Sequence, residues 1–147
     1  MMMNSKIKKA YNYIIRKCEN PKVGYSQQYR GAQIVDGIQY FDCSSLIYYA
    51  LKHAGFTTED IGTYPFTTYT MRAKLEPLGF KVLDAKTAKW KKGDILLRSD
   101  HTEMVYKGFY TMGAHTSHRI LSDQVSINTL KSSPNNWTYI LRYKPFR

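Results

Sequence analysis

The hydrophobic positions near the start of the chain repeat with the period of an α-helix. Over Ser5–Glu19, apolar residues recur every three or four positions and basic residues lie opposite them, which predicts an amphipathic helix that ends at Asn20-Pro21. A second run, Ser44–Ala54, is apolar on nearly all sides, as expected of a central helix, and Gly55 suits its C-terminal end. The stretch Val23–Gly37, rich in Gly, Gln and Tyr, is predicted to be a loop.

The second half of the chain has the pattern of short β-strands. A third helix is expected over Thr67–Leu78, interrupted by Pro77 and Gly79. Helices first and strands afterwards predict an α+β domain in which a small antiparallel sheet packs on the central helix. The predicted strands are Phe80–Leu83, Ile95–Leu97, His101–Tyr106, Phe109–His115 and Tyr139–Tyr143.

Composition narrows the class of protein and of its partners. The 147 residues suit one domain, residues 1–147, and 43% hydrophobic with 14% aromatic residues exclude a disordered basic tail. We find no apolar segment long enough to span a bilayer and no signal-peptide core at the N-terminus. The net charge of +11 predicts an anionic partner: nucleic acid, an anionic membrane surface or a polymer of the bacterial wall.

The two cysteines are too few for a disulfide framework or a four-cysteine zinc site. Cys43 stands where the predicted loop becomes the central helix, and the unpaired N–H groups and positive dipole of a helix N-terminus favour a thiolate. A lone cysteine is more often a small buried residue. We assign that role to Cys18 on the apolar face of the first helix, with a Cys18–Cys43 disulfide as the alternative.

His101 changes the interpretation of Cys43. It begins an alternating segment directly after a polar stretch, and a histidine at the start of a strand can reach a helix N-terminus packed on that sheet. There it can accept the thiol proton and return it to a leaving amine. His115 on the next strand either orients the His101 ring, completing a Cys-His-polar triad, or is a surface residue of a hairpin.

The other two histidines are not assigned as metal ligands. His118 and His115 have the spacing of a metal-binding pair, but no third and fourth ligand follows at a suitable distance. His118 is therefore interpreted as a loop residue, and His53 as a packing or capping residue near the end of the central helix. Neither a metal nor another cofactor is expected.

Five segments carry a combination of motifs, of which the most specific is Asp-Cys-Ser-Ser before an apolar helix, followed by Gly-Asp and then His-Thr. The segments are Tyr25–Arg30, Tyr40–Leu51, Gly93–Leu96, His101–Tyr106 and Met112–His115, with the closing strand near Tyr139 fitting as well. Together they resemble the NlpC-like cysteine amidases of bacteriophage endolysins, which are peptidoglycan hydrolases with a papain-like core. The resemblance implies a papain-like, NlpC-type α+β fold.

The resemblance also implies roles for individual residues. It makes Cys43 the nucleophile and His101 the general base. Similar enzymes place a tyrosine near the scissile carbonyl, which matches Tyr25, and shape the substrate subsite with the residues around the cysteine, which matches Asp42 and Ser44.

The third member of the triad is where the chain departs from the family. Many relatives carry a polar residue at the position of Gly113. His115 lies two residues further, on the same face of a strand, and is expected to take the role. Glu103 and His118 are the alternatives.

The implied activity is that of a cysteine amidohydrolase, a phage endolysin or prophage lysin cleaving the N-acetylmuramoyl-L-alanine amide. An endopeptidase cutting the stem or cross-bridge peptide is the alternative. A nucleic-acid-binding module is disfavoured, since no such motif is found and the tyrosines fall mainly inside predicted helices and strands. An inactive virion component is disfavoured by the joint presence of Cys43 and His101.

The expected partner is peptidoglycan, bound by a monomer without nucleic acid. Since no signal peptide is found, we expect synthesis in the host cytoplasm and action on the wall after release, with a place in the virion as the alternative.

Overall fold

The computed structural model describes residues 3–116 and 120–145. Two helices, α1 (Ser5–Glu19) and α2 (Cys43–His53), pack on a six-stranded antiparallel sheet, and α2 carries Cys43 at its first position. This confirms the predicted α+β class with a central Cys-bearing helix on an antiparallel sheet. The strands lie in the order β4 (Phe80–Asp84), β9 (Tyr139–Tyr143), β5 (Ile95–Arg98), β6 (His101–Lys107), β7 (Tyr110–Ala114) and β8 (Val125–Ile127).

The sheet buries side chains on both faces. On the face towards the helices, Met104 of β6 joins the main core, which includes Ile14 of α1 and Ile47 of α2. On the other face, Val105 joins a smaller cluster that includes Trp90 and Trp137. Because strand side chains alternate between faces, every second residue of β6 can belong to a functional face while its neighbours belong to the main core.

The first helix follows the predicted periodicity. Asn4 caps it, since its side-chain oxygen accepts hydrogen bonds from the backbone N–H groups of Lys6 (2.9 Å) and Ile7 (3.4 Å). Its buried residues are Ile7, Ala10, Tyr11 and Ile14, one face at helical spacing.

The prediction of a continuous loop over Val23–Gly37 is wrong. The segment includes β1 (Val23–Tyr25) and β2 (Ile34–Val35), which flank β3 (Ile38–Phe41) in a small sheet with β1 parallel to β3. The turn Asp36-Gly37 has positive φ angles of 51° and 80° and joins β2 to β3. Asp-Gly between Val35 and Ile38 is a strong hairpin signal, which the polar, Gly- and Gln-rich composition of the segment concealed.

The third predicted helix is shorter than expected. Residues 67–70 form a turn closed by the Thr67 N–H donating to Thr70 Oγ1 (3.0 Å). The helix α4 occupies Met71–Leu75 and passes into a 3-10 turn, Glu76–Leu78, which accommodates Pro77 near its start. Two single-turn helices were not predicted, α3 (Thr58–Ile61) and α5 (Leu121–Gln124). Within the described ranges, none of the helices has the length and apolar character needed to cross a bilayer.

An ion pair fixes the turn that leads into β5. Asp94 is 2% exposed, and its carboxylate accepts from Arg142 Nε (2.9 Å) and Nη2 (2.7 Å) and from the Lys91 backbone N–H (2.8 Å). From this turn β5 runs antiparallel to β6 and ends with Arg98 opposite His101.

The Asp94→Asn variant is expected to lose about 2 kcal/mol of unfolding free energy, because Arg142 would keep its charge without a buried carboxylate to pair with. Urea unfolding followed by circular dichroism measures this. Asp36→Asn makes the same charge change in an exposed turn and should leave the midpoint unchanged. An unaltered midpoint for Asp94→Asn would show that the pair does not stabilise the fold.

Candidate active site

The Asp-Cys-Ser-Ser motif is a helix-capping box. The Asp42 carboxylate accepts from the Ser45 backbone N–H (2.8 Å), and the Ser45 hydroxyl accepts from the Asp42 backbone N–H (2.9 Å). Cys43 is thereby held as the first residue of α2. Its sulfur lies at the helix N-terminus, where an anion is stabilised by the helix dipole.

His101, the first residue of β6, connects the cysteine to a buried carboxylate. Its Nε2 contacts Glu103 Oε2 at 2.6 Å, and the Cys43 thiol lies close enough to the imidazole to contribute to raising its pKa. Trp137 packs against the ring in a stacked arrangement with centroids 5.8 Å apart. The structure therefore brings Cys43, His101 and Glu103 together in one site.

Glu103, not His115, lies beside the His101 ring. His115 follows the end of β7 and contacts the same carboxylate oxygen of Glu103 at 3.0 Å from Nε2, while its ring centroid is 6.1 Å from that of His101. The geometry differs here from the sequence expectation, in which His115 orients His101 directly. Glu103 was named only as an alternative, and His118 lies outside the described residues.

Gly113 makes room for the Glu103 side chain. A Cβ atom at this position would lie 3.0 Å from Glu103 Cγ, which is tighter than ordinary contact. In the family that the sequence resembles, many members carry the third polar residue at this position. Here the carboxylate comes from the neighbouring strand and fills the space that Gly113 leaves.

The second oxygen of Glu103 is also bound. Oε1 accepts from the hydroxyl of Thr111, in a short contact, and from Asn128 Nδ2 at 2.7 Å. Asn128 Nδ2 also lies 2.9 Å from the Thr111 hydroxyl. Both oxygens of a 5% exposed carboxylate are therefore hydrogen-bonded, which is the condition for keeping such a charge buried.

These contacts shift the protonation of both partners. Burial alone would lower the pKa of His101, but hydrogen bonds and charge attraction from Cys43 and Glu103 raise it to about 9. Burial alone would raise the pKa of Glu103, but hydrogen bonds to His101 and His115 and their positive charge hold it well below its usual range. Near neutral pH the site favours an imidazolium between a carboxylate and the thiol group.

Arg30, which sequence reasoning did not single out, joins its own loop and the loop at Pro65 and Phe66 to the start of α2. Its guanidinium donates to Asp42 Oδ2 (2.6 Å) and to the Ser44 hydroxyl (3.1 Å). It also donates to the backbone carbonyls of Pro65 (3.0 Å) and Phe66 (2.6 Å). A planar side chain with five donors suits such a junction. The one sequence signal for this role was an arginine in the loop that precedes the Asp42-Cys43 pair.

The residues expected at the substrate subsite occupy different environments. Tyr25 ends β1 opposite Phe41, and burial together with the nearby Cys43 and Asp42 raises the pKa of its hydroxyl to about 12. Asp42 and Ser44 are buried and bound to Arg30, so both are engaged in holding the helix start. Tyr25 is thus the member of this group that lies close to the thiol with its side chain part-exposed.

The loop after α3 borders the site and exposes two aromatic rings. Arg30 holds it at Pro65 and Phe66, and the Thr68 hydroxyl donates to the Ser99 carbonyl (3.0 Å) in the turn before His101. Tyr64 and Tyr69 on this loop are 83% and 82% exposed. Such exposed rings commonly mark a binding surface.

Three of the site residues could also ligate a metal ion. The ligand atoms of His101, Glu103 and His115 lie within 4.8 Å of one another. Metal bonds of about 2.0–2.2 Å to three ligands hold the ligand atoms roughly 3 Å or more apart, whereas His101 and Glu103 are in hydrogen-bond contact at 2.6 Å. The arrangement therefore fits a shared proton better than a metal ion.

The remaining candidates lie away from this chemistry. Cys18 and Cys43 are both free thiols, and burial, followed by the charges of Glu103 and Glu19, raises the pKa of Cys18 to about 12. His53 packs against Tyr13 and contacts Arg16 at 3.3 Å.

Comparison with known proteins identifies the family of the sequence and shows where similar folds occur. A sequence profile described as the endolysin-like domain matches residues 2–109. No curated protein matched significantly.

Similar folds occur among solved structures, at identities that support the fold alone. The P60 domain of an antigen from M. avium subspecies paratuberculosis is 17% identical, with a TM-score of 0.54 over 92% of this chain and 96% of that one. A structure of the resuscitation promoting factor interacting protein RipA is 18% identical, with a TM-score of 0.61 over 97% and 66%. The peptidoglycan hydrolase RipB from Mycobacterium tuberculosis is 18% identical, with a TM-score of 0.56 over 96% and 68%.

Replacing Glu103 by Gln removes the carboxylate charge while keeping the size of the side chain. Since that charge raises the pKa of His101, the midpoint for His101 should fall from about 9 towards its ordinary value near 6.5. Histidine proton–carbon NMR spectra recorded against pH measure the midpoint. Glu59→Gln, on a surface helix, is the matched control, and an equal midpoint in wild type and Glu103→Gln would exclude the pairing.

Proposed function

Since the chain belongs to the endolysin-like domain family and has an NlpC/P60 fold, we propose that it is a cysteine peptidoglycan hydrolase. The observation that carries the proposal is the grouping of Cys43, at the N-terminus of a central helix, with His101 and the buried Glu103 carboxylate that contacts it at 2.6 Å. A neighbour of the same fold, RipB, is described as a peptidoglycan hydrolase. Three RipA structures of this fold carry substitutions at a cysteine, a histidine and a glutamate, the same three residue types.

The chemistry follows from the positions of these groups. The Cys43 thiolate attacks the amide carbonyl, and the sulfur–carbon bond forms as the carbonyl π electrons move to oxygen. Ser45 N–H is taken by Asp42, so the backbone N–H groups of Cys43 and Ser44 are the first-turn donors in the described structure for the oxyanion.

His101 then moves the proton. The imidazolium protonates the departing nitrogen as the carbon–nitrogen bond breaks, which leaves a thioester on Cys43. The neutral ring next takes a proton from water, and the resulting hydroxide attacks the thioester carbonyl. The sulfur–carbon bond then breaks, which releases a carboxylic acid that loses its proton to solvent and leaves the Cys43 thiolate beside a protonated His101. Glu103 acts through His101 as a positioning residue that holds the ring and supports its charge, with His115 behind it.

We assign the scissile bond to the N-acetylmuramoyl-L-alanine amide, with a peptide bond of the stem or cross-bridge as the alternative. An amidase must contact the sugar ring next to the bond, and the exposed rings of Tyr64 and Tyr69 offer stacking surfaces beside the site. An endopeptidase has no need of a sugar contact. The residues 1–147 then act as one catalytic domain of a phage or prophage lysin that reaches the wall after release, as a monomer.

Digestion of purified walls tests the reaction and the bond together. Wild-type protein should release fragments whose new amino group belongs to L-alanine, identified by mass spectrometry. Cys43→Ala, His101→Ala and the double variant should lose activity to a similar extent, since groups that act as a unit are not additive. A folded Cys43→Ala protein that digests walls at the wild-type rate would overturn the cysteine mechanism, and a new amino group on another residue would assign an endopeptidase.

A thiol reagent and a chelator distinguish a cysteine mechanism from a metal-dependent one at this site. Iodoacetamide should abolish activity by alkylating Cys43, while EDTA should leave it intact, because no proposed step uses a metal. Peptide mass mapping measures the alkylation of Cys43, with Cys18, whose pKa is raised to about 12, as internal reference. Loss of activity in EDTA with recovery in zinc would instead support a metal held by His101, Glu103 and His115.

A further inference from the structure

A concave site lies away from the catalytic residues, beside α1. The groove has a volume of about 880 Å³ and runs between α1, the turn before β5 and the end of β9. Its basic lining residues are Lys8, Lys89, Lys91, Lys92, Arg142 and Lys144. Since these come from three separate elements, the fold itself gathers the positive charge.

The positive charge of this basic groove is not neutralised from within. The one acidic residue in its lining is Asp94, which is already paired with Arg142. Among residues 3–116 and 120–145, no carboxylate lies within salt-bridge distance of Lys8, Lys89, Lys92 or Lys144. The lysines therefore present an excess of positive charge to an anionic ligand.

The chemistry of the lining indicates the class of anion. Ammonium groups bind phosphate as point charges, and the floor between them is apolar, with Met3, Ile7 and Pro145. Single-stranded nucleic acid is commonly bound through exposed aromatic faces on which its bases stack. Tyr11 is instead buried and stacked on Tyr106, and Tyr143 packs against Phe56 and Phe80.

The groove is separated from the reaction. The turn before β5 lies beside Val105, whose N–H donates to the Asp94 carbonyl (2.8 Å), whereas His101 is at the other end of β6. Four residues of strand place the two roughly 13 Å apart. A ligand in the groove therefore leaves Cys43 and His101 accessible.

Resting on the proposed function as a wall hydrolase, we propose that the basic groove binds the phosphodiester polymer attached to the wall, such as a polyol-phosphate chain. Alternating phosphates and short carbon units match lysines around an apolar floor. Binding there holds the enzyme on the wall while the catalytic residues act on peptidoglycan.

The test uses inactive Cys43→Ala protein and purified Gram-positive walls, either intact or stripped of phosphodiester polymer. The groove variant Lys89→Gln, Lys92→Gln, Lys144→Gln is compared with Lys22→Gln, Lys52→Gln, Lys74→Gln, three lysines exposed elsewhere, so that both lose the same charge. The groove variant should bind intact walls about tenfold more weakly than the control variant. On stripped walls the two should bind equally.

Three outcomes overturn the proposal. Equal loss in both variants would mean that only net charge matters, and a difference that persists on stripped walls would assign the groove to another wall anion. In the third outcome, an RNA oligonucleotide competes for wall binding as well as isolated polyol-phosphate does at the same phosphate concentration. That result would show that the groove binds polyanions in general. Turnover of a soluble muropeptide by the corresponding active proteins separates the hypotheses, because its absence in wild type refutes the hydrolase and not the groove.

Discussion

The charge of Glu103 is buried in the sheet, and a buried carboxylate is stable only when it is paired and its oxygens are hydrogen-bonded. Meeting that requirement involves several elements at once. His101 comes from the same strand, Thr111 from β7, and Asn128 from the residue after β8. Gly113 must also lack a side chain. The buried carboxylate therefore depends on the pairing of β6, β7 and β8, and the same carboxylate contributes to raising the pKa of the His101 imidazole.

The cysteine is held by a second, separate set of polar contacts. Asp42 serves at once as helix cap and as the partner of Arg30, and Arg30 in turn holds the loop that carries Pro65 and Phe66. Removing either charge would leave the other poorly paired and would loosen both the helix start and a wall of the cleft. The strands position the histidine, the capped start of α2 positions the thiol, and the two sets of contacts meet where Cys43 lies beside His101.

The sequence allowed prediction of those features that depend on local pattern. The bounds of α1 matched because its apolar face and its Asn20-Pro21 end are both local signals, and the approach of a helix-start cysteine to a strand-start histidine follows from packing that helix on that sheet. The placement of Glu103 could not be found in this way. It depends on Gly113 of the neighbouring strand, which has no side chain. The Glu103 side chain occupies the space that a side chain at position 113 would otherwise fill.

The small sheet was missed for a related reason. β1 pairs in parallel with β3, whose residues lie about fifteen positions later, and three-residue strands carry too little alternation to be recognised. Arg30 was missed because two of its four acceptors lie at the start of α2 and the other two on the loop at Pro65 and Phe66, which is distant in sequence. Contacts of this kind are decided by tertiary packing alone.

The surface charges and the buried charges of this protein respond differently to salt. The surface lysines act through solvent, where attraction decays over about 8 Å at physiological ionic strength. The His101–Glu103 pair is largely withdrawn from solvent, so salt screens it far less. Ionic strength therefore acts mainly on the encounter of this strongly basic chain with an anionic surface, while the protonation of the His101 ring depends on adjacent, largely buried groups, above all Glu103 at 2.6 Å. A protein built in this way can be highly charged outside without disturbing the balance of charges at its site.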